Sequence, residues 1–256
     1  HEQNAVLGRA NRFLAQKVDR IAITHSMCNL LPSEAEAKII HTGMPVRPEI
    51  LNARNGKVIN IDDTEFINLL VIGGSQGARI FGEVVPKAIA QLPQEILSRL
   101  HIVQQCRRED LMSVRSSYGA LGVRVTLGEF FEDMPRLLQM ASLIITRSGA
   151  SSVAEILAVG RPSIMVPYPF AVDQHQLANA HAVSESGAGW LIDQSMFTPE
   201  NLSSRLKELF NNGGTLLRVA DCAKRASFDD AIIRLANFVE ELCDKREIIE
   251  NKVRGV

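Results

Sequence analysis

The stretch Phe66-Ile67-Asn68-Leu69-Leu70-Val71-Ile72-Gly73-Gly74-Ser75-Gln76-Gly77-Ala78-Arg79 determines the fold that we expect of this chain. Its first half is largely apolar, as is typical of a parallel strand buried on both faces. Its second half carries glycines and then opens a helical pattern. Glycines at such a turn let backbone N–H groups approach a ligand, and a helix N-terminus favours an anion. The stretch therefore predicts a strand with a phosphate site at its carboxyl end, and a tight turn without a ligand is the alternative.

The same pattern repeats along the chain. Apolar runs at residues 66–72, 101–106, 123–127, 143–146, 163–166 and 189–192 alternate with segments of helical spacing. Six strand–helix units predict a Rossmann-like α/β fold with a doubly wound parallel sheet. Helical patterns at 198–211, 216–226 and 229–243 follow. We assign residues 66–243 to this domain and 244–256 to a charged C-terminal tail.

The first part of the chain has a different pattern. Residues 1–44 contain one predicted helix and one predicted strand, too little for a core of their own, and residues 45–65 are predicted to be a linker. We expect 1–44 to be the remnant of a second domain. The chain begins with His1 and carries no signal-peptide pattern, so we expect a segment before it.

Composition narrows the classes of function. With 28 Lys+Arg and 29 Asp+Glu the net charge is −1, which removes the general attraction of a basic domain to nucleic acid. The four cysteines are far apart, and no motif has the spacing of metal ligands. No apolar run approaches the roughly 18 residues that span a bilayer. We expect no metal, no cofactor and no nucleic-acid partner.

The glycine turn departs from two common phosphate motifs. The dinucleotide fingerprint needs a glycine where Ile72 stands and an acidic residue where Gln104-Gln105-Cys106 stands. The P-loop motif is also absent from the sequence. These observations favour a nucleoside diphosphate with a further group attached.

Two more loops carry polar residues at the ends of predicted strands. In Thr146–Glu155, small residues followed by Glu155 suit a pyrophosphate and a ribose, but Ser152-x-x-Glu155 is equally a capping box. In Val166–Asn179, amides such as Gln176 suit the hydroxyls of a sugar, whereas Asp173 is more simply a helix N-cap.

Five segments in this order resemble the motifs of the MurG family of bacterial peptidoglycan glycosyltransferases: residues 1–4, 43–47, 73–79, 147–155 and 173–179. The resemblance runs through essentially the whole chain. It implies a GT-B enzyme in which the C-terminal Rossmann-like domain binds UDP-N-acetylglucosamine. The N-terminal domain would bind undecaprenyl-pyrophosphoryl-N-acetylmuramyl-pentapeptide at the cytoplasmic face of the inner membrane, as a peripheral protein. The implied reaction is inverting transfer of N-acetylglucosamine to the 4-hydroxyl of the muramyl group.

The resemblance also assigns residues. The implied donor-binding residues are Asn4, Arg47, Ser75, Phe131, Ala150, Ser151, Ser152, Val153, Ala154, Glu155 and Gln176, with secondary contributions from Gly74, Gln76, Gly77 and His175. Ser75 would hold a phosphate, Phe131 would meet uracil through its backbone, Glu155 would bind the ribose, and Asn4 and Gln176 would bind the sugar.

The family's glycine-rich N-terminal motif, with the histidine considered as its base, does not occur in these 256 residues. A base must take the proton of the acceptor hydroxyl, and Glu2 is a weak candidate for helping it. We therefore expect this chain to be the donor-binding part and inactive by itself. Two other functions stay open: a UDP-N-acetylglucosamine 2-epimerase of the same architecture, and a non-catalytic nucleotide-sugar binding module.

Overall fold

The computed structural model describes residues 1–56, 59–74 and 77–254. Its strands are β1 (Ile21–Ile23), β2 (Ile39–His41), β3 (Ile67–Ile72), β4 (Leu100–Gln105), β5 (Arg124–Gly128), β6 (Leu143–Thr146), β7 (Ser163–Met165) and β8 (Trp190–Leu191). Its helices are α1 (Arg9–Ala15), α2 (Pro48–Ala53), α3 (Arg79–Ile89), α4 (Gln94–Leu97), α5 (Leu111–Gly119), α6 (Met134–Met140), α7 (Ala150–Val159), α8 (His175–Glu185), α9 (Pro199–Phe210), α10 (Gly213–Ala226) and α11 (Ala231–Arg254).

The main sheet has the doubly wound order β5-β4-β3-β6-β7-β8, and all neighbouring strands are parallel. Each of the six strands predicted from the apolar runs is present, with its ends within one residue of the prediction. The fold class is therefore confirmed. After β3 the chain goes on to β4 and β5, and after β5 it crosses to β6 on the other side of β3. The carboxyl ends of β3 and β6 thus flank the point where ligands bind in such sheets.

Alternation along β3 explains why the sheet is covered on both faces. Ile67, Leu69 and Val71 point into one buried cluster together with residues of α3, α5 and α9. Leu70 and Ile72 point into a second cluster with residues of α2, α6 and α7. Successive side chains of a strand face opposite sides, so an apolar run buries both. Burying each such side chain stabilises the fold by about 1.5–3 kcal/mol.

The N-terminal segment is more ordered than the sequence predicted. β1 pairs in parallel with β2, a strand that the sequence analysis did not predict. Residues from α1, β1 and the turn after it form a small buried cluster around Leu7. The prediction that residues 1–44 could not form a core is therefore wrong. The reason is that a strand of three residues carries little periodicity and becomes stable only through its distant partner.

The predicted linker also contains structure. Pro48 occupies the first turn of α2, where its missing N–H leaves no hydrogen bond unmade. Ile50 and Ala53 of this helix are buried among residues of β3, α6 and α7. Part of the segment 45–65 is thus packed against the main sheet.

Helices α9 and α10 begin at side-chain caps. Oγ1 of Thr198 accepts a hydrogen bond from the Asn201 N–H at the start of α9. α11 continues to Arg254, eleven residues beyond Cys243, where the prediction ended it. Charged Glu, Lys and Arg are good helix formers, so a charged composition did not mean a helix end. Gly255 and Val256, the last residues of the predicted tail, lie outside the described residues.

Candidate functional site

A cavity of about 640 Å³ lies at the carboxyl ends of β3, β4 and β6. We call it the glycine-loop cavity. Its walls are Gly73, Gly74, Gly77, Ala78, Arg79, Ile80, Arg107, Arg147, Gly149, Ala150, Ser151, Ser152, Tyr168, Gln176 and Gln194. This volume is within the usual range for small-molecule sites. Of the predicted site residues, Gly74, Gly77, Ala150, Ser151, Ser152 and Gln176 line it, whereas Ser75 and Gln76 lie outside the described residues.

The glycine loop can fold as it does because three of its positions, Gly73, Gly74 (φ +78°) and Gly77, lack side chains. A Cβ on Gly73 would collide with the backbone of Gly77 and Ala78, since the loop turns back on itself there. Gly77 has φ +66°, a conformation that side chains disfavour. The Gly73 N–H donates to Oε1 of Gln105 (3.0 Å), and Nε2 of Gln105 donates to the Glu129 carbonyl (3.1 Å). Gln105, at the end of β4, thus fixes the loop instead of meeting a ribose.

Two helices begin at this cavity without a side-chain cap. The N-cap residues are Ala78 for α3 and Gly149 for α7, and neither supplies a capping hydrogen bond. The free N–H groups and the helix dipoles at both ends favour an anion in the cavity. Ser152 lies inside the first turn of α7, so the interpretation of Ser152-x-x-Glu155 as a capping box is wrong.

Glu155 is instead paired with Arg47, 108 residues away in the sequence. Nη2 and Nε of Arg47 lie 3.1 and 3.3 Å from Oε1 of Glu155. No described residue forms a hydrogen bond with Oε2, and the Glu155 side chain is 21% exposed. The structure thus brings together two residues that the family resemblance had placed on the donor, and one carboxylate oxygen stays open for a hydroxyl.

Gln176 lies where the loop after β7 leads into α8. Its Oε1 accepts from the Tyr168 N–H (2.9 Å), and its carbonyl accepts from Oγ of Ser148 (2.7 Å). The side-chain NH₂ has no partner among the described residues. A fixed amide with a free donor at the cavity wall suits recognition of a hydroxyl oxygen.

Seven described residues that were predicted to bind the donor do not line this cavity: Asn4, Arg47, Phe131, Val153, Ala154, Glu155 and His175. Val153 is 1% exposed, its N–H bonds to the Gly149 carbonyl, and it borders a smaller cavity instead. Ala154 lines the same smaller cavity, which also contains His25 and Phe228. Phe131 lines an apolar groove against α6, and its ring edge faces Gly128. A ring nitrogen of His175 lies 2.8 Å from the Val172 carbonyl.

Among the first four residues, Glu2 is held inside the fold. Glu2 is 3% exposed, and its carboxylate accepts hydrogen bonds from Gly8, Asn11 and both nitrogens of Asn4. Burial raises the pKa of Glu2, but these hydrogen bonds outweigh it and hold the pKa below its ordinary value. A saturated carboxylate of low pKa is a poor proton acceptor, which argues against Glu2 as a helper of the base.

The side-chain amide of Asn4 likewise forms its hydrogen bonds within the protein. Its Oδ1 accepts from Nδ2 of Asn179 (3.0 Å), and its Nδ2 donates to Glu2 (3.2 Å). Asn179 also accepts from the Ala5 N–H (2.8 Å) and donates to the Ser148 carbonyl (3.0 Å). The sequence analysis did not single out Asn179, which joins the N-terminal segment to the loop before α7.

The loop before α8 is backbone-strained. Asp173 and Gln174 both have φ near +50°, which is unusual for residues other than glycine. The prediction that Asp173 caps α8 is wrong, because Gln174 is the N-cap and makes no side-chain cap. Asp173 instead pairs with Nη2 of Arg12 (2.8 Å) and Nε of Arg9 (3.5 Å). These ion pairs hold the strained loop against α1.

Two arginines of the cavity wall, Arg107 and Arg147, received no binding role from the sequence. Nη1 of Arg147 donates to the carbonyls of Val166 (2.9 Å) and Pro167 (3.0 Å), and Nη2 donates to Gln194 (2.7 Å). Burial lowers the pKa of Arg147. Both arginines follow the carboxyl end of a strand by one or two residues. That position, where ligands of parallel sheets gather, is the signal that could have found them.

Across the described residues, no group of three or more His, Cys, Asp or Glu could hold a metal ion. Within the same part of the chain, the helices are too short or too polar to cross a membrane.

A doubly wound parallel sheet with an anion-favouring cavity at its switch point defines a Rossmann-like domain of the nucleotide-binding class. Comparison with known proteins specifies the family. A family model described as the glycosyltransferase family 28 C-terminal domain matches residues 68–235. The chain therefore belongs to glycosyltransferase family 28.

Curated relatives and solved structures agree with this family. The chain is 50% identical over 239 residues to a UDP-N-acetylglucosamine--N-acetylmuramyl-(pentapeptide) pyrophosphoryl-undecaprenol N-acetylglucosamine transferase of Paramagnetospirillum magneticum. That match covers 93% of this chain and 64% of the relative. The crystal structure of Acinetobacter baumannii MurG matches with a TM-score of 0.77 and 29% identity, covering 94% of this chain and 66% of that one.

A more distant structure shows the fold alone. S. aureus MnaA, solved with UDP, matches with a TM-score of 0.61 and 14% identity, covering 92% of this chain and 64% of that one. The chain spans 63–66% of the length of the first curated relatives that it matches.

Proposed function

We propose that this chain supplies the donor-binding half of an N-acetylglucosaminyltransferase of peptidoglycan synthesis. The donor is UDP-N-acetylglucosamine, and the acceptor is N-acetylmuramyl-(pentapeptide) pyrophosphoryl-undecaprenol, the two substrates in the printed name of the 50% identical relative. Because the acceptor is a lipid, the complete enzyme works at a membrane surface as a peripheral protein, on its cytoplasmic side.

One observation carries the proposal: an anion-favouring cavity of nucleotide size lies where this family model matches. The uncapped N-termini of α3 and α7 suit the diphosphate. Oε2 of Glu155 would accept a hydrogen bond from a ribose hydroxyl while Arg47 holds the other oxygen. The free NH₂ of Gln176 would bind a sugar hydroxyl. The proposal thus gives Glu155 and Gln176 the roles that the resemblance implies, and gives Arg47 the role of orienting Glu155.

Donor binding is tested by a substitution that places a negative charge in the cavity, with the affinity measured by calorimetry. Ser151 is an exposed residue in the first turn of α7 and lines the cavity. Ser151→Glu puts a carboxylate beside the proposed diphosphate, so we expect the affinity for UDP-N-acetylglucosamine to fall about tenfold or more, or roughly 1.4 kcal/mol. Ser204→Glu, at an exposed position on α9, is the matched control and should bind like the parent chain.

Failure of the parent chain to bind UDP-N-acetylglucosamine, or equal binding of ADP-glucose, would contradict the proposal. The reaction products distinguish the transferase from a 2-epimerase. We expect NMR spectra of UDP-N-acetylglucosamine incubated with the chain alone to show no epimer at C2. Formation of that epimer without an acceptor would replace the transferase by a 2-epimerase.

A further inference from the structure

Arg107 stands directly beside the glycine loop. It follows the end of β4 by two residues, and a Cβ on Gly77 would lie 3.1 Å from its Cγ and 3.9 Å from its Nε. Its side chain therefore crosses the open face of Gly77. It lines the glycine-loop cavity together with Arg147, which belongs to the loop after a different strand.

Among the described residues, the guanidinium of Arg107 has none of the hydrogen-bond or ion-pair partners that neighbouring arginines have. Its Nε is shielded from solvent and makes no hydrogen bond within the described residues. Arg79, on the same cavity wall, is paired with Glu83 at 2.9 Å, and Arg147 donates to two carbonyls and an amide. Arg108 points outward, is 87% exposed and lies 3.9 Å from Glu129. A shielded donor without a partner calls for an explanation, and an absent ligand is one.

The chemistry of this position favours a phosphate. A guanidinium presents several N–H donors in one plane, which match the oxygens of a phosphate in a bidentate way. The uncapped N-termini of α3 and α7 already favour negative charge in the same cavity. An amide or hydroxyl of a sugar offers no charge to balance the guanidinium. The diphosphate is the part of the proposed donor that does.

We propose that Arg107 binds the diphosphate of the donor nucleotide, reaching it across Gly77. This inference rests on the proposed function and adds a specific cationic ligand to it. UDP has a free terminal phosphate and carries more negative charge than UDP-N-acetylglucosamine, whose diphosphate is esterified at both ends. Arg107 therefore holds UDP more strongly than the intact donor and contributes nothing to the binding of uridine.

The test compares two adjacent arginines. Arg107→Met keeps the unbranched apolar part of the side chain and removes the guanidinium with its charge, and Arg108→Met does the same at the exposed neighbour. The affinities for UDP, UDP-N-acetylglucosamine and uridine are measured by calorimetry for the parent chain, for both variants and for Arg107→Lys. We expect Arg107→Met to weaken UDP binding about tenfold or more, the usual effect of losing a charge-assisted hydrogen bond. The loss should be smaller for the donor, absent for uridine, and partly restored in Arg107→Lys.

Thermal unfolding of each variant separates binding from folding, and Arg108→Met should bind all three ligands like the parent chain. Equal UDP affinity of Arg107→Met and the parent chain would overturn the inference. So would a uridine affinity that falls as far as the UDP affinity, because Arg107 would then only shape the loop. If the parent chain itself binds no UDP, the proposed function fails first, and that result is distinct from a failure confined to Arg107.

Discussion

At the scale of single residues, the pairing of Glu155 with Arg47 is the contact with the clearest consequence for ligand binding. The pair is partly exposed, with 57% of the Arg47 side chain accessible, so its own contribution to stability is small. Its effect is geometric, since a carboxylate held at one oxygen presents the other in a defined direction. The proposed ribose contact depends on that orientation.

Glu155→Ala should therefore weaken binding of UDP by roughly 10- to 100-fold, the effect of losing about 1.5–3 kcal/mol in a hydrogen bond to a charged group. The binding of 2′,3′-dideoxy-UDP, which lacks both ribose hydroxyls, should be the same for the variant and the parent chain. Calorimetry with the two ligands measures the difference. Glu208→Ala removes an exposed carboxylate that is paired with Arg205 on α9, outside the cavity lining, and is the control. A loss of equal size for both nucleotides would exclude the ribose contact.

The sequence allowed Glu155 to be named but not to be interpreted. A capping box and a ribose ligand have the same local pattern, so the window around Glu155 could not separate them. The decision came from the position of the N-cap, Gly149, and from Arg47, both of which depend on how the chain folds. Val153 shows the converse, because its motif position suggested a donor contact while the fold buries its side chain and places it beside a different cavity.

At the scale of elements, α8 joins parts of the chain that are distant in sequence. Asn179 on this helix is fully buried and bonds to Ala5 and Asn4 near the N-terminus and to Ser148 before α7. Its amide thus satisfies backbone groups from two other segments. A buried amide with both ends engaged fixes the position of the elements that it connects.

Asn179→Ala should lower the free energy of unfolding by about 3 kcal/mol, because it leaves the Ala5 N–H and the Ser148 carbonyl buried without partners. Urea denaturation measures this change. Asn211→Ala, at an exposed position just after α9, is the control and should change stability by less than about 0.5 kcal/mol. Similar stabilities of the two variants would show that the Asn179 network contributes little.

At the scale of the whole molecule, the N-terminal segment packs on the main domain around His25. His25 lines a small cavity with Met44 of its own segment and Phe228 after α10. Burial, and then the nearby His41, lower the pKa of His25 to about 4. The junction between the two parts of the chain therefore contains a histidine that stays neutral in the folded protein.

This junction should make stability depend on pH. The unfolded chain protonates His25 near pH 6.5, whereas the folded chain resists protonation until about pH 4. The unfolded state thus binds more protons than the folded state in this range. The contribution of His25 to the free energy of unfolding is therefore lost as the pH falls from 6.5 to 4. Urea denaturation between these values should show His25→Gln losing less stability than the parent chain, by on the order of 1 kcal/mol. The exposed His181→Gln variant should follow the parent chain. Parallel pH profiles of His25→Gln and the parent chain would contradict the assignment.

The sequence by itself determined the main sheet. The strands β3, β6 and β7 are largely apolar runs, as is typical of parallel strands buried on both faces, and they mark the centre of the sheet in the sequence. The glycine loop could be predicted in the same way, because its turns require residues without side chains. These features depend on residues that are close together in the sequence, so they can be predicted from the sequence alone.

Only the tertiary structure decided how the site is assembled. The pairing of Arg47 with Glu155, the bonds of Asn179 and the place of Arg107 beside Gly77 join residues separated by 30 to 175 positions. The two-stranded sheet of the N-terminal segment also pairs residues that are 18 positions apart, such as Ile21 and Ile39. Such contacts form because the sheet brings the ends of its strands to one edge, and no local pattern records which side chains then meet.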